Sequence, residues 1–310
     1  MGCRAGVVGR RRVSVRAAPP RQLVPFAPRR NLLIARLRLS IVVAALAALV
    51  WPTLSSPQTR VAPDAVVAVL GIATEIVPIE RALADAVTRT IGGIVFTEGR
   101  LSGRRVVAGR SGIGKVNTAI AATMVIEHFT PAALFFSGTA GALDPALGPG
   151  DVIIASAIAQ HDVGLMTPSG LTRRPTRSYL PGGANPLFFP AADELLEAAR
   201  RVATRVALKP LQAHRAPVVR EATIVTGDVF VADTHRRDEL RALGAAAVEM
   251  EGGAMAQVCW HYKVPCLVVR SITDSADGSA SDRYQQFLAG ASENAAMLVT
   301  AAIVELGAAR

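Results

Sequence analysis

The chain has 310 residues, of which 51% are hydrophobic and 19% are charged. This composition supplies enough apolar side chains for a buried core and excludes a disordered tail protein. The formal net charge is +10, but residues 1–60 contain eleven arginines and no acidic residue. The rest of the chain has 23 basic and 24 acidic residues, a net charge of −1. The basic character therefore belongs to a leader, and we do not expect a nucleic-acid-binding domain.

The leader has the three parts of a signal peptide in the right order. An arginine-rich segment precedes an apolar run over residues 39–52, and small and polar residues 53–59 follow. The run is short for a membrane span and suits the apolar region of a signal peptide. We therefore expect export through the inner membrane of a bacterium to the periplasm. One alternative is an uncleaved N-terminal membrane anchor, and another is a start-site artefact on a cytoplasmic protein.

Apolar strand-like runs alternate with helical patterns over residues 61–310, which we interpret as one domain. In chain order we predict strand 66–70, helix 75–87, strand 105–108, helix 115–128, strands 132–136 and 151–157, a long loop over 167–190, helix 191–203, strand 222–225, helix 234–242, strand 245–250, helix 253–261, strand 264–269 and a broken helix over 283–306. Fully apolar strands that alternate with helices indicate a sheet covered on both faces. The predicted fold class is α/β, with a mixed, mostly parallel sheet flanked by helices.

One glycine-rich segment resembles a phosphate-binding loop. The run Gly109-Arg-Ser-Gly-Ile-Gly-Lys115 matches the first seven positions of the P-loop pattern. The next residue is Val116, where a Ser or Thr hydroxyl would hold Mg²⁺. We therefore interpret the segment as a tight turn between a strand and a helix.

Polar or glycine-rich segments follow several of the predicted strands. They are residues 137–141, 226–230, 249–251 and 270–274, and Glu75 lies just beyond the first strand. Ligands of open α/β sheets bind at the carboxyl ends of the strands. A single carboxylate such as Asp228 or Asp274 is more often a helix cap or a turn residue. Five strand ends together predict one cleft where three carboxylates and an arginine converge.

The cysteines and histidines do not indicate a metal site. Cys3 lies in the leader, and Cys259 and Cys266 fall on a predicted helix and the following strand. Two such cysteines are more often buried small apolar residues than a disulfide. No group of cysteines and histidines has metal-ligand spacing, so we expect neither a metal nor a cofactor.

Five motifs together resemble one enzyme family. They are Gly112-Ile-Gly-Lys-Val-Asn117, Ser137-Gly-Thr-Ala-Gly141, Thr226-Gly-Asp-Val-Phe230, Val248-Glu-Met-Glu-Gly252 and Arg270-Ser-Ile-Thr-Asp274. Their order and spacing over about residues 66–306 resemble those of the 5′-methylthioadenosine/S-adenosylhomocysteine nucleosidases, in the nucleoside phosphorylase superfamily. The resemblance implies a nucleoside phosphorylase-like fold, a homodimer and a small nucleoside as substrate. It implies hydrolysis of the N-glycosidic bond to adenine and the thioribose.

The resemblance also implies two catalytic carboxyl groups. Adenine leaves readily only when its N7 is protonated, so an acid must lie beside N7, and a second carboxylate must orient a water molecule at the sugar. By resemblance, Asp274 is the acid and Glu75 orients the water. Asp274 must hold a proton when the substrate binds, so we expect a dry site to raise its pKa.

The remaining site residues are implied in the same way. Glu251 accepts hydrogen bonds from the ribose hydroxyls, Met250 packs under the sugar, and Phe230 stacks on adenine. The rest of the expected substrate-binding set is Thr139 near the ribose and water, Ala140, Gly141, Val231 with its backbone at the base edge, Glu249, Arg270 orienting the carboxylates, Thr273, and Tyr284 closing the pocket. Residues 163–190 depart from the family pattern, so the preferred 5′-thioadenosine stays open.

Two other functions compete with this interpretation. Hexameric purine phosphorylases have an arginine just before the glycine-rich segment, and this chain has Phe135-Phe136-Ser137 there. The missing cation favours hydrolysis over a purine- or uridine-type phosphorolysis. The other alternative is an exported nucleoside-binding protein without catalysis. Such a protein is expected to have lost its acid and its water-binding carboxylate, whereas Asp274 and Glu75 are both present.

Overall fold

The computed structural model of the protein describes residues 61–62 and 64–307. They belong to one compact unit, Gln58–Arg310. The predicted leader, with its apolar run over residues 39–52, lies outside the described residues. Its interpretation as a signal peptide or an anchor therefore stays a prediction.

A mixed β-sheet with helices on both faces forms this unit, and the predicted α/β fold class is confirmed. The strands are β1 (Val67–Ile72), β2 (Ala84–Ile91), β3 (Ile94–Leu101), β4 (Arg104–Ser111), β5 (Ala133–Ala142), β6 (Val152–Gln160), β7 (Gly164–Thr167), β8 (Gly170–Arg173), β9 (Phe189–Pro190), β10 (Val219–Thr226), β11 (Ala247–Glu249) and β12 (Cys266–Asp274). The helices are α1 (Val77–Ala82), α2 (Lys115–Phe129), α3 (Asp193–Ala203), α4 (Thr234–Arg241), α5 (Gly252–Tyr262) and α6 (Ala280–Gly307).

The strand order explains how distant motifs meet. The sheet runs β11-β10-β6-β12-β5-β1-β4-β3-β2, and β11 also pairs with the end of β5. Strands β5, β12, β6, β10 and β11 therefore close into a ring. At its rim, Gly141 of β5 pairs with both Val248 of β11 and Asp274 of β12, and Glu249 of β11 pairs with Thr226 of β10. The ring thus brings four of the predicted motifs to one place.

Alternate side chains of the central strands build two cores. In β1, Ala68 and Leu70 belong to a cluster that contains α2 and α5, whereas Val67 and Val69 belong to a cluster that contains α3 and α6. This alternation is the period of two that a pleated strand imposes. Helix α6 is long and apolar enough to cross a membrane, but it packs on β5, β12 and α3, as a core helix does.

The structure corrects the predicted elements in four places. The predicted helix 75–87 is too long, because α1 ends at Ala82 and the chain continues as strand β2. Strands β2 and β3 were not predicted, since β2 is an exposed edge strand with little apolar alternation to mark it. The predicted loop 167–190 contains most of the β7–β8 hairpin and strand β9, and α6 is continuous rather than broken.

Candidate active site

A cavity of about 300 Å³ opens at the rim of the strand ring. Every predicted site residue except Arg270 lines it. Those residues are Glu75, Thr139, Ala140, Gly141, Phe230, Val231, Glu249, Met250, Glu251, Thr273, Asp274 and Tyr284. The structure thus brings together side chains that lie up to about two hundred positions apart in the sequence, whereas their roles remain predictions.

Two glycines of β5 make room for the carboxyl groups. A Cβ atom on Gly138 would collide with the Arg270 guanidinium and with Glu75 Oε2. A Cβ atom on Gly141 would lie 2.8 Å from Asp274 Oδ1. Contacts this short would force the carboxyl groups away from the cavity. The glycines of the 137–141 motif are therefore required by the close approach of side chains from β12 and from the β1–α1 connection.

Arg270 lies beneath the cavity and holds three carboxylates together. Its side chain is fully buried, and its Nη2 atom donates to Glu249 Oε2 and, at 3.4 Å, to Glu251 Oε2. Its Nη1 atom lies 3.7 Å from Glu75 Oε2, and its guanidinium lies 4.3 Å from the centroid of the Phe136 ring. A buried charge needs such partners, because desolvation is costly when it is unpaired. One buried cation thus faces three carboxyl groups in the cavity wall.

Glu75 lines the cavity, and only one of its two carboxyl oxygens accepts hydrogen bonds from the described residues. Its Oε1 atom accepts hydrogen bonds from the Thr139 hydroxyl and, at 3.2 Å, from the Thr139 backbone N–H. Its Oε2 atom accepts no hydrogen bond from the described residues. Burial raises the pKa of Glu75 to about 7, against the opposing effects of the Arg270 charge and the Thr139 hydroxyl. The group can therefore exchange a proton near neutral pH.

Asp274 ends β12 on another side of the same cavity. Its Oδ1 atom accepts a hydrogen bond from the Ala276 N–H at 2.9 Å, and its Oδ2 atom accepts one from the Thr273 hydroxyl at 2.8 Å. Burial raises the pKa of Asp274, although both hydrogen bonds favour the charged form. No guanidinium contacts it among the described residues, unlike Glu75. The site therefore pairs two buried carboxyl groups in different surroundings.

The P-loop-like turn binds carboxylates of the protein itself. The Gly114 N–H donates to Glu251 Oε1 at 2.9 Å, and the Lys115 N–H donates to Asp228 Oδ1 at 2.7 Å. The N-terminus of α2 offers these N–H groups and favours negative charge. The structure therefore confirms a strand-to-helix turn at this segment, with its anion-binding groups occupied by two side chains.

The loop 227–231 contributes the aromatic residue Phe230 to the wall of the cavity. The Phe230 ring is 44% exposed and makes an edge contact with Tyr284, with ring centroids 5.9 Å apart. Asp162 anchors this loop, since its Oδ2 atom accepts the Asp228 N–H at 3.0 Å and its Oδ1 atom accepts Lys115 Nζ at 2.6 Å. A charged network thus joins the loop to the start of α2.

Four apolar residues of the cavity wall were missed by the sequence analysis. Ile113, Val229 and Val248 lie inside the quoted motifs, and Ile72 ends β1. Their position in or beside polar motifs is the signal that marks them as wall residues. In a sequence with 51% hydrophobic residues that signal is weak.

Comparison with known proteins agrees with this geometry. The family model of the phosphorylase superfamily matches residues 65–304. The 5′-methylthioadenosine/S-adenosylhomocysteine nucleosidase of Mycobacterium bovis is 34% identical over 232 residues, which cover 71% of this chain and 89% of that protein.

Two solved structures extend the similarity to the fold. The 5′-methylthioadenosine/S-adenosylhomocysteine nucleosidase of Neisseria meningitidis, in complex with methylthio-immucillin-A, has a TM-score of 0.67 and 33% identity, covering 77% of this chain and 98% of that one. The futalosine hydrolase of Helicobacter pylori has a TM-score of 0.66 and 32% identity, covering 78% of this chain and 98% of that one. Both similarities span nearly the whole of the compared proteins.

Proposed function

We propose that this chain, which belongs to the 5′-methylthioadenosine/S-adenosylhomocysteine nucleosidase family of the phosphorylase superfamily, hydrolyses the N-glycosidic bond of a 5′-thioadenosine. The products are adenine and the thioribose. The predicted family and nucleosidase activity are confirmed by the relatives. The observation that carries the proposal is the pair of buried carboxyl groups, Glu75 and Asp274, in one cavity with an aromatic wall.

Asp274 is the proposed general acid. The leaving adenine needs a proton on N7 as the glycosidic bond lengthens, and burial raises the pKa of the Asp274 carboxyl group, which favours the protonated form that can supply it. The Thr273 hydroxyl donates to Asp274 Oδ2 and the Ala276 N–H donates to Oδ1. Both donors fix the orientation of the carboxyl group, and both stabilise the carboxylate that remains after the proton is transferred.

Glu75 is the proposed partner of the attacking water. Its bound oxygen is fixed by Thr139, and its other oxygen has no hydrogen bond from the described protein residues. A water molecule held beside this carboxyl group can attack the sugar carbon on the face opposite to the leaving base. Glu75 must then be ionised to accept a proton from the water.

Glu251 is proposed to stabilise the positive sugar, and Arg270 is proposed to position the carboxylates. Glu251 Oε1 is held by the Gly114 N–H, and its pKa is raised by burial. Its carboxylate faces the cavity beside Met250, where hydrogen bonds from ribose hydroxyls strengthen as positive charge develops. Arg270 keeps the carboxylates at fixed positions, so they need not reorganise during the reaction.

Hydrolysis is favoured over phosphorolysis by the charges of the wall. No Lys or Arg lines the described cavity, and the buried Arg270 beneath it is committed to carboxylates. A phosphate dianion has no cation to bind in such a wall. The retained Glu75 and Asp274 likewise favour an enzyme over a non-catalytic binding protein.

The deciding experiment measures release of the free purine base by the purified full chain. Methylthioadenosine, S-adenosylhomocysteine and futalosine are offered separately, with and without inorganic phosphate. We expect adenine and free thioribose from at least one thioadenosine at a rate that phosphate does not change. Strict phosphate dependence with a sugar 1-phosphate product would instead assign the chain to the phosphorylases.

We further propose a homodimer, supported by an exposed apolar patch beside the cavity. Val116 and Ile120 on one face of α2 are 70% and 50% exposed, and Ile113, Val229 and Phe230 at the cavity mouth extend the patch. Several exposed apolar side chains in neighbouring segments are typical of a protein interface. Light scattering of the purified protein measures whether it has twice the mass of the chain.

A further inference from the structure

A pair of thiols lies at the far end of two elements that carry the active site. Cys259 is in the last turn of α5, and Cys266 begins β12. The chain reverses tightly between them, because the Val264 N–H donates to the Cys259 carbonyl oxygen at 3.0 Å. Both side chains line one surface cavity, Cys266 packs against the core cluster that contains Cys259, and both cysteines of the described chain are free.

The two thiols differ in their access to solvent. Cys259 is 1% exposed and packs in the apolar core, whereas Cys266 is partly exposed. Both line a surface cavity of about 820 Å³ that lies between α5, the start of β12 and the segment 178–193. Burial raises the pKa of the Cys259 thiol well above its ordinary value. Cys266 is therefore the thiol that a reagent entering this cavity meets first.

We propose that Cys259 and Cys266 form a modification site, at which a small-molecule disulfide oxidises them to an intramolecular disulfide. The Cys266 thiolate attacks one sulfur of the oxidant, which gives a mixed disulfide and releases one thiolate. Cys259 transfers its proton to that thiolate and its sulfur displaces the second thiol. Two protein thiols are oxidised, and one molecule of the small disulfide is reduced to two thiols.

The disulfide would link α5 and β12 at the ends opposite to the active site. Helix α5 follows Glu251 directly, and β12 ends at Asp274, so each element carries a site carboxylate at its other end. A covalent link between Cys259 and Cys266 limits the freedom of the unfolded chain and fixes the two elements to each other. An exported protein meets such oxidants. The inference is independent of the substrate proposed above.

The test uses the full chain with Cys3→Ser, so that only the two thiols of the pair remain. Trypsin cleaves after Lys263, between the two cysteines, and gives the peptides 242–263 and 264–270. After oxidised glutathione is added to the folded protein, we expect these peptides to stay joined until a reductant separates them. Oxidation should also remove both thiols from a titration of the denatured protein, in equal amounts.

The matched control adds Cys266→Ser, which should abolish the joined peptide and leave the buried Cys259 thiol titratable. Three results would overturn the proposal. They are two thiols that persist after oxidation, separate peptides that each carry glutathione, or a link between two chains on a non-reducing gel. The peptide assay needs no cysteine variant of the pair, so a variant that misfolds does not affect it.

Discussion

Two carboxyl groups in the same cavity must be in opposite protonation states for the proposed reaction. Asp274 must hold a proton for N7, and Glu75 must have lost its proton to bind the water as a base. Burial raises the pKa of both groups. Arg270 and Thr139 act against burial at Glu75, so their contacts decide how readily that group ionises. Single side chains therefore set the pH range of the activity.

The pH profile tests this balance. Because the pKa of Glu75 is about 7, kcat/KM should rise as the pH increases toward 7 and then level off. Loss of the Asp274 proton should add a falling limb, at a pH that burial moves above the ordinary range of an aspartate. The variant Thr139→Val removes a hydroxyl that stabilises the ionised Glu75, so the rising limb should move to higher pH. A limb that keeps its position in this variant would contradict the assignment of Glu75.

Asp274→Asn tests the acid directly. An amide cannot protonate N7, so kcat should fall by about a hundredfold or more, the usual contribution of general acid catalysis. The measurement is adenine release from methylthioadenosine by chromatography. The control is Asp85→Asn, which changes an exposed carboxylate of β2 outside the cavity and should keep most of the activity. An Asp274→Asn enzyme that retains most of its activity would require a different acid.

Phe230→Ala and Glu251→Gln separate binding from chemistry. Stacking on adenine is present before and during the reaction, so Phe230→Ala should mainly raise KM. The aromatic contact is worth about 0.5–1.5 kcal/mol, or roughly a two- to tenfold change. Glu251→Gln should mainly lower kcat, because its hydrogen bonds strengthen with the charge on the sugar.

Tyr179→Ala is the matched aromatic control for Phe230, since Tyr179 is 99% exposed and lies outside the cavity. It should change neither constant. If Phe230→Ala leaves KM unchanged but lowers the melting temperature by several degrees, Phe230 is a packing residue and adenine binds elsewhere.

At the scale of elements, the start of α2 joins the two halves of the proposed substrate site. Its N–H groups bind Glu251, on the ribose side, and Asp228, on the adenine side. Lys115 and Asp162 add an ion pair of 2.6 Å that is about one-fifth exposed, and so less screened than a surface pair. The position of Phe230 thus depends on three segments of the chain.

Asp162→Asn should weaken this anchor of the loop 227–231. The amide keeps the shape but loses the charge that pairs with Lys115, at a cost of about 1 kcal/mol. We expect KM for methylthioadenosine to rise about fivefold with little change in kcat, and hydrogen exchange of the loop to increase. The control is Glu221→Gln, which breaks the exposed ion pair with Arg200. Equal effects of both variants would argue against a role in positioning the loop.

At the scale of the whole molecule, residues 1–60 and the rest of the chain differ in net charge. The arginines of residues 1–60 account for the whole positive net charge, and the remaining chain is nearly neutral. We propose that the leader directs the protein out of the cytoplasm, or anchors it at the membrane. The support is the order of its charged, apolar and polar parts.

A reporter fusion after Arg60 tests this proposal. An enzyme that is active only outside the cytoplasm should be active in a suitable bacterium when it follows residues 1–60. A fusion with the arginines of residues 29–38 changed to glutamate should lose that activity, because export needs a basic segment before the apolar run. An inactive fusion together with a full chain that stays in the cytoplasm would contradict export.

The sequence predicted much of the fold and the members of the site. The buried strands β1, β5 and β12 have apolar runs that only a covered sheet explains, and their ends have polar motifs. The edge strand β2 gave no such signal, because nearly all its side chains are exposed, and β3 has only a short apolar run and pairs with β2 and β4. The local pattern of apolar residues therefore identified the central buried strands, and it missed strands whose conformation depends on pairing with a neighbouring strand.

The sequence by itself determined which residues are available for chemistry, since the motifs place carboxylates, glycines and one arginine after buried strands. It also determined the α/β class, through the alternation of apolar strands and helices. Only the tertiary structure decided which of these residues form ion pairs and hydrogen bonds with one another. Arg270 was expected in the site as the residue that orients the carboxylates, and the structure shows that it lies outside the cavity lining and that its partners are Glu75, Glu249 and Glu251. Charge pairing and burial depend on distances between segments far apart in the chain, and closure of the strand ring fixes those distances.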